Sequence, residues 1–98
     1  MKAIVVAMNT SRKRYAVKVK ATNQYSVFEI LEPLLLAFHE QVLGNFDQPG
    51  KQILIATSGI VFTANVELVN IDQVEALIWT LNKPNLTIPP NSSSGAAY

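Results

Sequence analysis

Residues 52 to 83 read QILIATSGIVFTANVELVNIDQVEALIWTLNK, and the fold expected of this chain turns on that stretch. Gln52 to Thr57 and Ile60 to Val69 flank Ser58-Gly59, where glycine gives the backbone the freedom a tight turn needs. In the second run Phe62, Ala64, Val66 and Leu68 alternate with Thr63, Asn65 and Glu67, the period of two of a strand with one buried face. The pair predicts a β-hairpin. Asn70 or Asp72 then stands where a helix cap is needed. Ile71, Val74, Leu77, Ile78 and Leu81 recur at helical spacing until Pro84 stops the run. The whole stretch is strand, turn, long strand and amphipathic helix, and none of its residues forms a catalytic group.

Working toward the N-terminus, Lys2 to Met8 is a β-favouring apolar run closed by the polar cluster Asn9 to Lys13. From Arg14, the residues Tyr15, Val17, Val19 and Ala21 alternate with Arg14, Lys18 and Lys20, so the second strand has a core face and a basic face. The two segments predict an antiparallel hairpin. Ser26 followed by Glu29 fits a capping box. Val27, Ile30, Leu31, Leu34, Leu35, Phe38 and Val42 recur at three and four, which predicts a helix as far as Leu43 and Gly44, bent at Pro33. Residues 44 to 50, GNFDQPG, read as a loop. Residues 85 to 98, NLTIPPNSSSGAAY, are rich in Pro, Ser and Asn and predict a disordered tail.

The expected order is therefore β-β-α-β-β-α in one α+β domain over residues 1 to 84, a two-layer antiparallel sheet with both helices on one face. Ala3, Val5 and Ala7 alternate with Ile4, Val6 and Met8, so neither side of the first strand suits water. A sheet buried on both sides in a chain with two helices implies a covering layer, most simply a second copy, through which the sheet would dimerise.

Ninety-eight residues at 49% hydrophobic content suit one globular domain, and the absence of cysteine removes disulfides and thiolate chemistry. No run approaches the ~18 apolar residues of a membrane helix, and the start lacks a signal-peptide pattern, which together point to a cytoplasmic protein. Net charge is only +1, but Lys2, Arg12, Lys13, Arg14, Lys18 and Lys20 all precede residue 25 with no acid among them, and all seven acids follow. Such a partition creates a local basic surface in a nearly neutral molecule, able to meet phosphates. Head-to-tail complementarity within a dimer, or simple solubility, is the plainer account of it and the favoured one.

Phosphate-cradling glycine loops and nucleophile-elbow motifs are missing from the sequence, so no enzyme and no cofactor is expected. His39 lies among Phe38, Glu40 and three leucines, where a histidine serves as a surface or interface residue more readily than as a base or ligand. Glu29, Glu32 and Glu40 read as a solvated helix face. On a helical projection Trp79 lies opposite the apolar stripe and Leu36 lies on the glutamate side of the first helix. With His39 they are the expected partner-binding residues, since aromatic anchors mark interfaces; for Trp79 the alternative is cover by Leu86 or Ile88 of the tail. Arg12, Lys13, Arg14, Lys18 and Lys20 are the candidate nucleic-acid contacts. Only Tyr15 interleaves them, and its parity points it to the core, so they would meet phosphates without stacking on bases.

Residues 14 to 83 resemble the small dimerisation subunit of the KEOPS complex, which makes threonylcarbamoyladenosine in tRNA. The matching pieces are the alternating strand entering a helix that reaches Leu31-Glu32-Pro33, the hairpin around Gly59, the strand IVFTANVEL, and Ala76-Leu77 followed by Leu81-Asn82. Where the family's last helix carries Ala-Leu-Arg-Ala-x-Leu-Asn, this chain has ALIWTLN, with Ile78 and Trp79 at the arginine and alanine positions. It also has an extra N-terminal strand and an apolar continuation past Pro33. The resemblance implies a non-catalytic accessory subunit that forms a homodimer or a heterodimer with a related small subunit. Its helices would dock on the ATP-binding catalytic subunit, and its basic loop would help place tRNA. The alternative is a small dimeric protein that binds nucleic acid through phosphates.

Overall fold

The computed structural model describes residues 1 to 82, which form a closed barrel of six antiparallel strands with one short helix on its outer wall. The strands are β1 (Lys2–Asn9), β2 (Arg14–Val19), β3 (Tyr25–Ile30), β4 (Gln41–Leu43), β5 (Gly50–Ala56) and β6 (Val61–Ile71), and the helix α1 is Gln73–Leu77. Around the barrel the order is β1-β2-β3-β6-β5-β4, with β4 returning to β1. Two three-stranded meanders, β1-β2-β3 and β4-β5-β6, are thus joined along two seams. The β3–β6 seam is long; the β1–β4 seam pairs only Lys2, Ala3 and Ile4 with Leu43, Val42 and Gln41.

This architecture overturns the expected two-layer α+β sheet with two helices on one face. Both predicted hairpins form, β1 with β2 and β5 with β6. The first predicted helix does not. Its opening residues are β3, and residues 31 to 40 cross one end of the barrel without regular structure before entering β4. The physical reason lies in two competing periods. Phe28 and Ile30 are buried at alternate positions beside Ser26, so the same residues satisfy a strand. Pro33 would clash with the carbonyl of Glu29 in a helix, and only the strand can bridge β2 to β6. The supposed capping serine is buried instead, its hydroxyl donating to the carbonyl of Phe46 at 3.1 Å.

The barrel interior is a close-packed apolar core. Phe28 sits at its centre, with ring centroids 5.7 Å from Tyr15, 6.3 Å from Phe46 and 6.2 Å from Phe62. Val5, Val17, Ile30, Val42, Leu54 and Val66 fill the space around these rings. Each end of the barrel is stoppered by a loop held to an interior polar group. Leu36, from the crossing segment, is buried at one end, and its backbone N–H donates to the Tyr15 hydroxyl at 3.1 Å. Phe46, from the β4–β5 loop, closes the other, bonded to Ser26. Leu36 is therefore core and not an outward partner-binding residue, because its segment crosses the barrel mouth and does not run as a helix.

A bulge in β1 between Val5 and Ala7 switches the parity of the strand. Ala3 and Val5 face the interior, whereas Ala7 joins Ala16, Val27 and Ala76 in a second small cluster outside the barrel, beneath α1. The helix starts at Asp72, whose carboxylate accepts from the Glu75 N–H at 2.8 Å. After Leu77 it widens into π-type turns over Ile78–Asn82, which breaks the 3.6-residue phase on which the predicted stripe depended. Small residues decide which face is buried. Ala76 is fully buried in the cluster with Ala7, Ala16 and Val27, and Val74, Ile78 and Leu81 are left half-exposed or more. The predicted tail, residues 85 to 98, lies outside the described residues. Among those described, no helix is long and apolar enough to cross a membrane.

Replacing Phe28 by Ala removes the ring on which three others pack. It is expected to destabilise the barrel by about 3–5 kcal/mol, read from urea unfolding followed by tyrosine fluorescence.

Candidate functional surfaces

The basic residues singled out in the sequence do not form one surface. Arg12 and Lys13 lie in the β1–β2 turn, where Lys13 adopts a left-handed backbone with φ of 55°. With Ser11, Arg14, Glu29, Ile30 and Leu31 they line an open cleft of about 430 Å³. Arg14 is not available there as a free cation. Its Nη2 donates to Glu67 Oε2 at 3.2 Å and its Nε lies 2.9 Å from Oε1, so the two side chains pair side-on across β2, β3 and β6. The Nε–H is poorly aligned with its oxygen, leaving Nη2 as the directed hydrogen bond and Nε as a close ionic contact. Only 11% of the Arg14 side chain and 19% of that of Glu67 meet solvent.

Lys18 and Lys20 lie toward the opposite end of β2, with Lys2 beside them: Lys18 stands across from Ile4, and the N–H of Lys20 donates to the carbonyl of Lys2. A second cleft here is lined by Ile4, Val6, Lys18, Lys20 and Asn23. Among the described residues, none of these three lysines ion-pairs with a carboxylate. Between the two basic ends, the outward side of β2 is Ala16, buried in one cluster with Ala76 where the turns of Ile78–Asn82 pack against β2. A continuous phosphate track along the strand is therefore broken by these turns, which sequence parity could not show.

Of the expected partner-binding residues, His39 is exposed but not helical. It sits in a turn of the crossing segment with φ of 65°, its N–H donating to the Val5 carbonyl at 2.9 Å and its ring beside that of Phe38. Trp79 lies in the π-type turns and is 36% exposed, at the edge of the face that buries Thr80. Leu36 is buried, as above. No group of three His, Cys, Asp or Glu residues among the described ones is placed to hold a metal.

A surface the sequence reading passed over is more pronounced. On the outer wall of β4, β5 and β6, Leu43 pairs across to Ile55 and Ile55 to Val61, a single row spanning three strands. Ile53 stands one step along β5 and Ile60 just beyond Val61, and their exposures run from 38% at Leu43 to 69% at Ile53. A barrel wall that faces water normally alternates apolar inside with polar outside. This one does not. The signal was present in the sequence as Ile53-Leu54-Ile55, apolar at both parities, but it was read only as strand. Lys51, Thr63 and Asn65 border the patch on its polar side.

No family model matches the chain, and no curated protein or solved structure matches it either.

Breaking the Arg14–Glu67 pair from one side strands a mostly buried charge. Glu67→Gln is expected to cost about 2–4 kcal/mol in urea unfolding, and the Arg14→Met, Glu67→Leu double variant to recover most of that loss.

Proposed function

We propose that this protein is a non-catalytic accessory subunit that works by binding other protein surfaces, and that it forms a dimer. The observation that carries this reading is the apolar row Leu43–Ile55–Val61, extended by Ile53 and Ile60, on a wall with no covering layer among the described residues. Contiguous exposed aliphatic side chains of this extent mark interaction sites. The interior gives complementary support: its polar groups, the hydroxyls of Tyr15 and Ser26, are bonded to the loops that stopper the barrel.

A KEOPS-like assembly is the particular setting that the sequence resemblance implies, with a cytoplasmic location and an ATP-binding catalytic subunit as partner. Of the pieces that carried the resemblance, the hairpin around Gly59 forms as expected. The helix through Leu31-Glu32-Pro33 is a strand and an irregular crossing, and the last helix is one short α-turn segment followed by wider turns. Support for that setting therefore rests on the hairpin around Gly59, the strand IVFTANVEL and the motif residues Ala76-Leu77 and Leu81-Asn82. A tagged pull-down after nuclease treatment, with wild type and Ile53→Asp in parallel, tests both levels. The expected outcome is a retained protein partner that Ile53→Asp loses at least tenfold. Recovery of an ATP-binding catalytic subunit would assign the KEOPS-like setting, and equal retention by the variant would remove the wall from the interface.

A second reading, phosphate contact with nucleic acid, is favoured by Lys2, Lys18 and Lys20 sharing one end of the barrel without carboxylate partners. Under it, changing all three to Gln should weaken binding to a generic RNA and reduce the slope of log affinity against log salt by about 2 to 3. Changing Arg14 should leave that slope as it is.

A further inference from the structure

The wall of β4, β5 and β6 carries an arrangement of charge that selects its occupant, and, resting on the interaction reading above, we infer that it pairs with the same wall of a second copy, the two β5 strands running antiparallel. Two identical walls facing each other must be related by a two-fold axis in the plane between them. That axis can run along β5 or across it, and the two cases place different residues together.

With the axis along the strand, residues at the same level meet: Ile53 faces Ile53, Ile55 faces Ile55, and Lys51 is set against Lys51. Like charges at the rim of an apolar contact oppose association. With the axis across the strand at the level of Ile55, the row Leu43–Ile55–Val61 of one copy lies over the same row of the other, and Lys51 is carried to Gly59 in the β5–β6 turn. That end of the wall holds a carboxylate. Glu40 reaches the β5–β6 turn, where its Oε2 accepts from the Ser58 hydroxyl at 3.0 Å, and the Thr57 N–H donates to the Gln41 carbonyl beside it. Among the described residues no cation pairs with Glu40 and no carboxylate pairs with Lys51. The antiparallel arrangement brings these two unpaired charges together twice, once at each end.

The extent of the patch sets the strength. Stable interfaces bury about 800 Å² per partner, and five half-exposed aliphatic side chains supply roughly half of that. Gln41, Lys51, Thr63 and Asn65 contribute the polar rim. The contact is small for a stable dimer, so pairing is expected to grow with concentration. Because the barrel is closed, the contact is between faces and requires no strand to open.

Sedimentation velocity of the full chain across about 2 to 500 µM tests the pairing. Wild type is expected to shift from 10.8 kDa to twice that mass. Ile53→Asp, at an exposed position that leaves the core intact by circular dichroism, is expected to stay monomeric throughout. Lys51→Ala is expected to weaken the dimer at least threefold, with the deficit fading at high salt. A wild type that remains monomeric, or an Ile53→Asp variant that dimerises as well as wild type, overturns the self-pairing. A Lys51→Ala variant that dimerises more tightly overturns the antiparallel arrangement. A monomeric wild type whose pull-down partner is nonetheless lost on Ile53→Asp overturns self-pairing alone, leaving the wall as a surface for a different protein.

Discussion

The pairing of β3 with β6 is the constraint on which the rest of the molecule depends. It joins the two meanders along the longer of their two seams, from Tyr25–Ile71 to Ile30–Ala64. The β1–β4 seam is three residues long and could not hold the barrel shut by itself. Only as a strand in that seam does β3 aim Phe28 at the axis, where Tyr15, Phe46 and Phe62 gather around it. Closure also disposes of most of the sheet edges. Every strand has two neighbours, but β4 meets only the ends of β1 and β5, so Gly50 to Leu54 pair with β6 on one side alone.

The hairpins were legible because their period of two is unopposed: in β2 and β6 no helical reading competes with the alternation. Residues 25 to 43 were not legible because they fit both periods. Val27, Ile30, Leu34 and Phe38 are spaced as a helix face, while Ser26, Phe28 and Ile30 are spaced as a strand face. What decided between them was the long-range demand of the open edges of β2 and β6, and a single sequence does not display that demand. Leu36 followed the same error. Placed by a helical projection it points outward; placed by the crossing of the barrel mouth it is a stopper tied to the Tyr15 hydroxyl.

The second failure of projection has a different physical cause. α1 is correctly capped by Asp72, one of the two caps the sequence offered, but its register over the wall is set by size and not by hydropathy. Ala7 and Ala16, brought together by the bulge in β1, are buried in one cluster with Val27 and Ala76, while Val74 and Ile78 stay exposed. Large apolar side chains therefore end up outside while alanine and threonine are buried. The turns that follow the helix pack on the middle of β2 and divide a basic strand that looked continuous into two separate ends.

These features shift the chemistry of the molecule from its interior to its outer face. The two hydroxyls inside the barrel hold its stoppers, and Arg14 is bound to Glu67. The outer wall of β4, β5 and β6 offers aliphatic surface with one cation at one end and one carboxylate at the other. A partner that approaches this wall face on gains its affinity from side-chain burial, about 25 cal/mol per Å² of apolar area. Backbone hydrogen bonds, the usual source of register when sheets associate by their edges, are absent from such a contact. In the self-pairing we infer, register then comes from Lys51 and Glu40, outside the apolar row, while the isoleucines supply most of the contact.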